Sequence, residues 1–171
     1  QSEALTDVVP FVGYWIHHGL LQLGDDKMSK SLGNLVSLGD AIQQHGADAL
    51  RLFFLGSHYR NPLTYSEQAL TSSGKAVDRL RNSLRHTTDQ TDPGPDLTVY
   101  RERFFAAMDS NLNTPQAIAV LFDLVREVNR CINDNRDVSQ AQDTLRSLGG
   151  ILGLTFEDSK NAESQVFDGA L

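Results

Sequence analysis

The sequence predicts a mainly α-helical protein with a short β element near its N-terminal end. Residues 11–23, FVGYWIHHGLLQL, concentrate β-branched, aromatic and aliphatic side chains and are closed by the turn signal Gly24-Asp25-Asp26. From residue 38 onward apolar residues recur at helical spacing, and cap residues, prolines and glycines divide the stretches from one another.

Taken in order, residues 11–23 read as one or two short strands. Residues 27–35, KMSKSLGNL, have neither a helical nor an alternating apolar period and contain Gly33 and Asn34, so they read as a loop on a scaffold. Leu38, Ala41 and Ile42 suit a short helix ending near Gly46, and Ala49, Leu50, Leu52, Phe53 and Phe54 suit a second, deeply buried one. Asn61-Pro62 breaks the chain. Ser66 is positioned to cap a long helix whose stripe is Ala69, Leu70, Ser73, Ala76, Val77, Leu80 and Leu84. The Thr/Asp/Pro/Gly stretch at residues 87–96 reads as a linker. Beyond it lie a helix around residues 99–108 and a helix opened by Thr114 and Pro115, with the stripe Ala117, Val120, Leu121, Leu124, Val125, Val128 and Ile132. Ser139 and Gln142 have the spacing of a capping box for a last helix, which Gly149-Gly150 interrupts or ends. After Glu157 there is little to bury.

At 171 residues, with 40% hydrophobic and 22% charged residues, the chain has the composition of a folded soluble protein and room for one domain or two small helical ones. A formal net charge of -7 offers no overall basic field for a polyanion, so any nucleic-acid contact has to be local. One cysteine, Cys131, excludes an intrachain disulfide and a thiol-rich zinc cluster, and fits a reducing, cytoplasmic setting. Neither a membrane-length apolar run nor a secretory leader is legible. The opening Gln1-Ser2-Glu3-Ala4, with no Met, is expected of a fragment or a processed chain.

The residues with most chemistry to offer are Lys27 and Lys30, three apart, with Ser29 and Ser31 interleaved. Two ammonium groups and two hydroxyls in a Gly-containing loop can converge on a polyphosphate and stabilise charge that builds on phosphoryl oxygens. A bare K-x-x-K is more often a solvated turn, but the octet KMSKSLGN is far more specific. His17 and His18 are adjacent and would point to opposite faces of a strand, which does not suit one metal ion. Cys131 lies near a helical apolar stripe and reads as a small hydrophobe. Lys75, Arg79, Arg81 and Arg85 give the long helix a basic side, either a solvated face or a contact to RNA phosphates. Asp48, Arg51 and Arg60 flank the buried second helix without an assignable role.

KMSKSLGN resembles the signature loop of class I aminoacyl-tRNA synthetases. QSEA, YWIHHG, LRLFFLGSHYRNPLTYSEQAL and FFAAMDSNLNTPQAIAVLFDLVREVNR resemble segments of the cysteinyl-tRNA synthetases, in the same order and with similar gaps, over roughly residues 1–155. The resemblance implies cysteine activation with ATP to the adenylate and pyrophosphate, with Mg2+, then transfer to the cysteine tRNA. Lys30, assisted by Lys27, would be catalytic, and Lys27, Met28, Ser29, Lys30 and Ser31 would bind ATP. It also implies a division into residues 1–36 as the edge of a class I Rossmann-type catalytic domain, 37–88 as a helical connector, 89–96 as a linker, 97–155 as an α-helical bundle and 156–171 as a tail. The family's His-Ile-Gly-His motif and zinc ligands have no match here, so zinc is expected only in a full-length parent, and the piece alone is expected to be inactive. A monomer without membrane contact is expected. Two rivals remain: a cysteine ligase of mycothiol biosynthesis, which shares the lysine loop and the adenylate step, and a non-catalytic helical module that binds RNA or protein. An N-terminal strand region lacking its neighbours would be locally unstable.

Overall fold

The computed structural model describes residues 2–23, 26–27, 37–87 and 94–157. It is mainly helical with a small β element near the start. A short helix α1 (Ser2–Thr6) precedes strands β1 (Leu21–Leu23) and β2 (Asp26–Lys27). Helices α2 (Leu38–His45) and α3 (Ala47–Leu55) lead to β3 (Leu63–Tyr65), then come α4 (Glu67–Leu84), α5 (Thr98–Asp109), α6 (Thr114–Asn133) and α7 (Ser139–Ile151). Among the described residues no helix is long and apolar enough to cross a membrane.

The sheet has the order β2-β1-β3. β1 and β2 form an antiparallel hairpin with Gln22 opposite Lys27, while β1 and β3 run parallel with Leu21 opposite Leu63 and Leu23 opposite Tyr65. A parallel pair needs a crossover, and α2 with α3 supplies it. Strand structure is shorter than residues 11–23 suggested. Val9, Tyr14, Trp15 and Ile16 are exposed coil, Tyr14 at 93%. Aromatic and β-branched residues favour a strand only where a pleated, half-buried surface awaits them, and among the described residues no strand pairs with this stretch. β3, which follows Asn61-Pro62 directly, carried no sequence signal beyond three residues, Leu63, Thr64 and Tyr65.

Two apolar clusters are joined by α3 and α4. Leu50 and Phe53 of α3 and Leu70 of α4 pack with Ala41 and Tyr65 beneath the sheet. Leu52 of α3 and Val77 and Leu80 of α4 join Phe104, Leu121, Leu124, Val128, Leu145 and Leu148 in the larger core. Each such side chain, taken fully out of water, contributes about 1.5–3 kcal/mol. Because α3 turns one face to each cluster, the sheet and the helical bundle are packed through it, with Phe54 left on its exposed side.

Helix starts follow the capping rules with local exceptions. Ser37 Oγ accepts from the Asp40 amide at 3.5 Å, and Ser66 Oγ from the Ala69 amide at 3.1 Å. Asn113, not Thr114, caps α6, accepting from the Gln116 amide at 3.2 Å, and the Thr114 hydroxyl instead donates to the Leu55 carbonyl at the end of α3, at 2.8 Å. The expected capping box of α7 is absent. Ser139 turns to Asp137, and Gln142 is buried with its amide donating to the carbonyls of Ser83 at 2.9 Å and His86 at 2.7 Å. Demand from the orphan carbonyls closing α4 outweighs the local cap. α7 runs through Gly149-Gly150 to Ile151, and Gly149 is needed for packing, since a Cβ there would stand 2.3 Å from the Phe156 ring. Of the predicted linker, residues 88–93 lie outside the described residues; Gly94 is docked, its carbonyl accepting from Arg136 Nη2 at 2.9 Å.

Candidate functional site

The described residues on either side of the predicted lysine loop belong to the sheet and its crossover. β1 is placed against β3 by Gly19, whose amide donates to the Tyr59 carbonyl at 2.7 Å while the Leu63 amide donates to the Leu20 carbonyl at 3.0 Å. Only a residue without Cβ fits at position 19, because an added Cβ would lie 2.1 Å from the Asn61 carbonyl oxygen. From β1 the hairpin turns into β2, which ends at Lys27, backbone-paired with Gln22. The chain is caught again at Ser37, the cap of α2. Of the predicted site residues Lys27 therefore closes the hairpin, and Met28, Ser29, Lys30 and Ser31 lie outside the described residues. Below the hairpin, His18, Leu20, Phe54, Leu55, Tyr59 and Leu63 help line a largely apolar cleft of about 390 Å³.

The end of α2 is tied to the start of α4 by a small polar chain. His45 Nε2 is 3.0 Å from Glu67 Oε2, and the Tyr65 hydroxyl donates to Glu67 Oε1 at 2.7 Å. The Tyr65 hydrogen bond first, and His45 after it, hold the Glu67 carboxyl below the usual carboxylate range. The same bond, with burial, raises the Tyr65 phenol.

The three cations within α4 and its C-cap Arg85 do not share one face. At 100° per residue, Lys75 and Arg79 fall on one side and Arg81 and Arg85 on the other. Lys75 is exposed, and the Arg79 guanidinium lies 5.2 Å from the centre of the Phe122 ring. Arg81 turns inward to Asp48 at 3.5 Å and reaches Asp78 at 3.4 Å. Arg85 contacts Asn82 at 3.5 Å, and with Arg81, Arg146 and Thr155 it borders a cavity of about 350 Å³. Arg60 contacts Tyr59 and Asn111. His17 stacks on Trp15, whereas His18 Nδ1 meets the Gly19 carbonyl at 2.7 Å. Among the described residues no three of His, Cys, Asp and Glu converge in a way that would hold a metal ion. Cys131 is buried, and burial raises its thiol pKa. What sequence reasoning left without a role is Asp48, a carboxylate only 3% exposed in the first turn of α3. An Asp near a helix N-terminus is unremarkable in sequence, and its partners come from far along the chain.

Two family models match: the tRNA synthetases class I (C) catalytic domain over residues 1–75, and the DALR domain over residues 103–157. The chain is 46% identical, over 98% of its length, to a cysteine–tRNA ligase of Dehalococcoides mccartyi. The chain belongs to the cysteinyl-tRNA synthetase family. Other family members similar to it are the cysteine–tRNA ligases of Alkalilimnicola ehrlichii, 46% identical over 92% of the chain, and of Legionella pneumophila, 39% identical over 94%. The chain spans 38% of the length of the first of these relatives and 34% of the other two. Its fold is also that of part of a solved LeuRS–tRNA–LeuAMS complex from Agrobacterium radiobacter K84, with a TM-score of 0.61 at 20% identity, covering 80% of this chain and 20% of that one. Within the family's two matched regions, the lysine loop lies in the catalytic match and α5 to α7 lie mostly in the DALR match.

Proposed function

We propose that this chain forms the part of a cysteine–tRNA ligase that grips the phosphates of ATP and positions the cysteine tRNA. The observation that carries the reading is the octet KMSKSLGN, which begins at the last residue of β2 and precedes the Ser37-capped α2 in sequence, in a chain 46% identical to a cysteine–tRNA ligase. ATP, with Mg2+, supplies the phosphoryl centre on which the carboxylate of cysteine is activated. The donor set suits that ligand: the ammonium groups of Lys27 and Lys30 and the hydroxyls of Ser29 and Ser31 offer charge and hydrogen bonds to phosphate oxygens, with Met28 between them. Lys30 is the principal cation and Lys27 assists it. In this reading residues 1–36 complete a catalytic domain, residues 37–88 connect it to a bundle over residues 97–155, and the ligase works in the cytoplasm as a monomer. Lys75, Arg79 and Arg85 offer charge to RNA phosphates, while Arg81 serves Asp48.

The test is cysteine-dependent ATP–pyrophosphate exchange and tRNA charging by the full-length polypeptide that carries this chain, with and without Lys30→Ala. Loss of one preorganised cation from a phosphoryl-transfer site is expected to slow exchange by about 10²–10³-fold. Exchange without charging of tRNA would favour the cysteine ligase of mycothiol biosynthesis. A folded parent that does neither would end the enzymatic reading.

A further inference from the structure

Asp48 is out of water, and a buried carboxylate costs several kcal/mol unless hydrogen bonds and cations surround it. It is surrounded. The Phe156 amide donates to Oδ2 at 2.8 Å, the Thr155 amide to Oδ1 at 3.0 Å, and the Thr155 hydroxyl lies 3.3 Å from both oxygens. Arg81 of α4 and Arg51 of α3 each stand 3.5 Å from it. Two backbone amides more than a hundred residues downstream are thus delivered to one carboxylate in the first turn of α3.

The end of α7 is shaped for that delivery. The Leu152 and Leu154 amides both donate to the Gly149 carbonyl at 3.0 Å, and Gly153 adopts a φ of 77°, which reverses the chain beside Arg51. The Phe156 ring then seats on Gly149, where an added Cβ would stand 2.3 Å from the ring and displace it. Asp48 belongs to the region matched by the catalytic family, and Thr155 and Phe156 to the region matched by the DALR domain.

We propose that Asp48 is a positioning residue, a latch that fixes the end of α7 on α3 and so sets where the bundle stands relative to the hairpin and its lysine loop. Resting on the ligase reading above, the latch serves the step that engages tRNA and leaves adenylate formation alone. Asp48 touches no reacting group. Its effect passes through bundle orientation, so it concerns the large substrate that spans both regions.

The experiment compares the full-length polypeptide with Asp48→Asn and with Gly149→Ala, which pushes the Phe156 ring off α7 and leaves Asp48 intact. Three readouts are taken: hydrogen exchange at the Thr155 and Phe156 amides, cysteine-dependent ATP–pyrophosphate exchange, and KM for tRNA in charging. Both variants are expected to lose protection at the two amides, to keep pyrophosphate exchange within about twofold and to raise KM for tRNA about tenfold or more, since small misplacements far from the chemistry have effects of that size. If Asp48→Asn fails to fold, Gly149→Ala carries the test alone. Retained amide protection, lost protection with KM for tRNA unmoved, or an equal fall in exchange and charging that tracks a lower melting temperature would each overturn the latch. A parent that neither exchanges nor charges would overturn the ligase reading, and the positioning role with it.

Discussion

Replacing Gly19 by alanine tests how the lysine loop is mounted. An added Cβ would meet the Asn61 carbonyl oxygen at 2.1 Å, the Asn61 carbonyl carbon at 2.4 Å and the Pro62 nitrogen at 2.7 Å. All three are backbone atoms, so no rotamer change relieves the clash, and β1 must withdraw from β3 by more than an ångström to reach ordinary contact distance. Overpacking of this kind costs about 1–3 kcal/mol. Withdrawal also strains the Gly19-to-Tyr59 and Leu63-to-Leu20 hydrogen bonds, each contributing about 0.5–1.5 kcal/mol. Together these forecast a loss of about 2–6 kcal/mol, concentrated at the sheet. The assay is amide hydrogen exchange at Gly19 and Leu63 alongside amides of α6 as an internal reference. The expected result is faster exchange at the two sheet amides with α6 little changed, because the larger core is packed independently of β1. Unaltered protection at Gly19 and Leu63 would refute the claim that close backbone approach at this position holds β1 against β3.

Two further perturbations follow from the packing and the polar contacts. Leu121→Ala empties a fully buried site among α4, α5, α6 and α7; a loss of about 2–5 kcal/mol is expected, read as a fall in melting temperature of about 2–4 °C per kcal/mol for a chain of this size. The Glu67 link is pH-dependent: because the Tyr65 hydrogen bond lowers its carboxyl pKa in the folded state, its contribution is complete above the unfolded value and is lost as pH falls through the folded one. NMR titration should therefore find Glu67 ionising below the ordinary carboxylate range, and Tyr65→Phe should move it upward; an unmoved midpoint would contradict the assignment.

The helical character and the family were legible in the sequence because they are written locally. A 3.6-residue period, Ser66 at a cap position and an eight-residue signature such as KMSKSLGN need no knowledge of what lies across the fold. Other features depend on partners far along the chain. Residues 11–18 have strand composition but, among the described residues, no strand pairs with them, so they stay irregular with Phe11, Tyr14, Trp15 and Ile16 exposed to solvent. Thr114 and Gln142 look like ordinary helix-start residues, yet each serves the carbonyls of another helix, α3 in one case and the end of α4 in the other. Arg81 looks like one of four surface cations, but helical geometry turns it to the side where Asp48 is buried. The amino-acid sequence alone determined the helical elements and the family; only the tertiary structure decided how little of the N-terminal stretch became strand and which polar groups would have to satisfy one another. The physical reason is that a buried donor or acceptor must find a partner wherever packing places one, and packing between α3 and the end of α7 cannot be read from either segment alone.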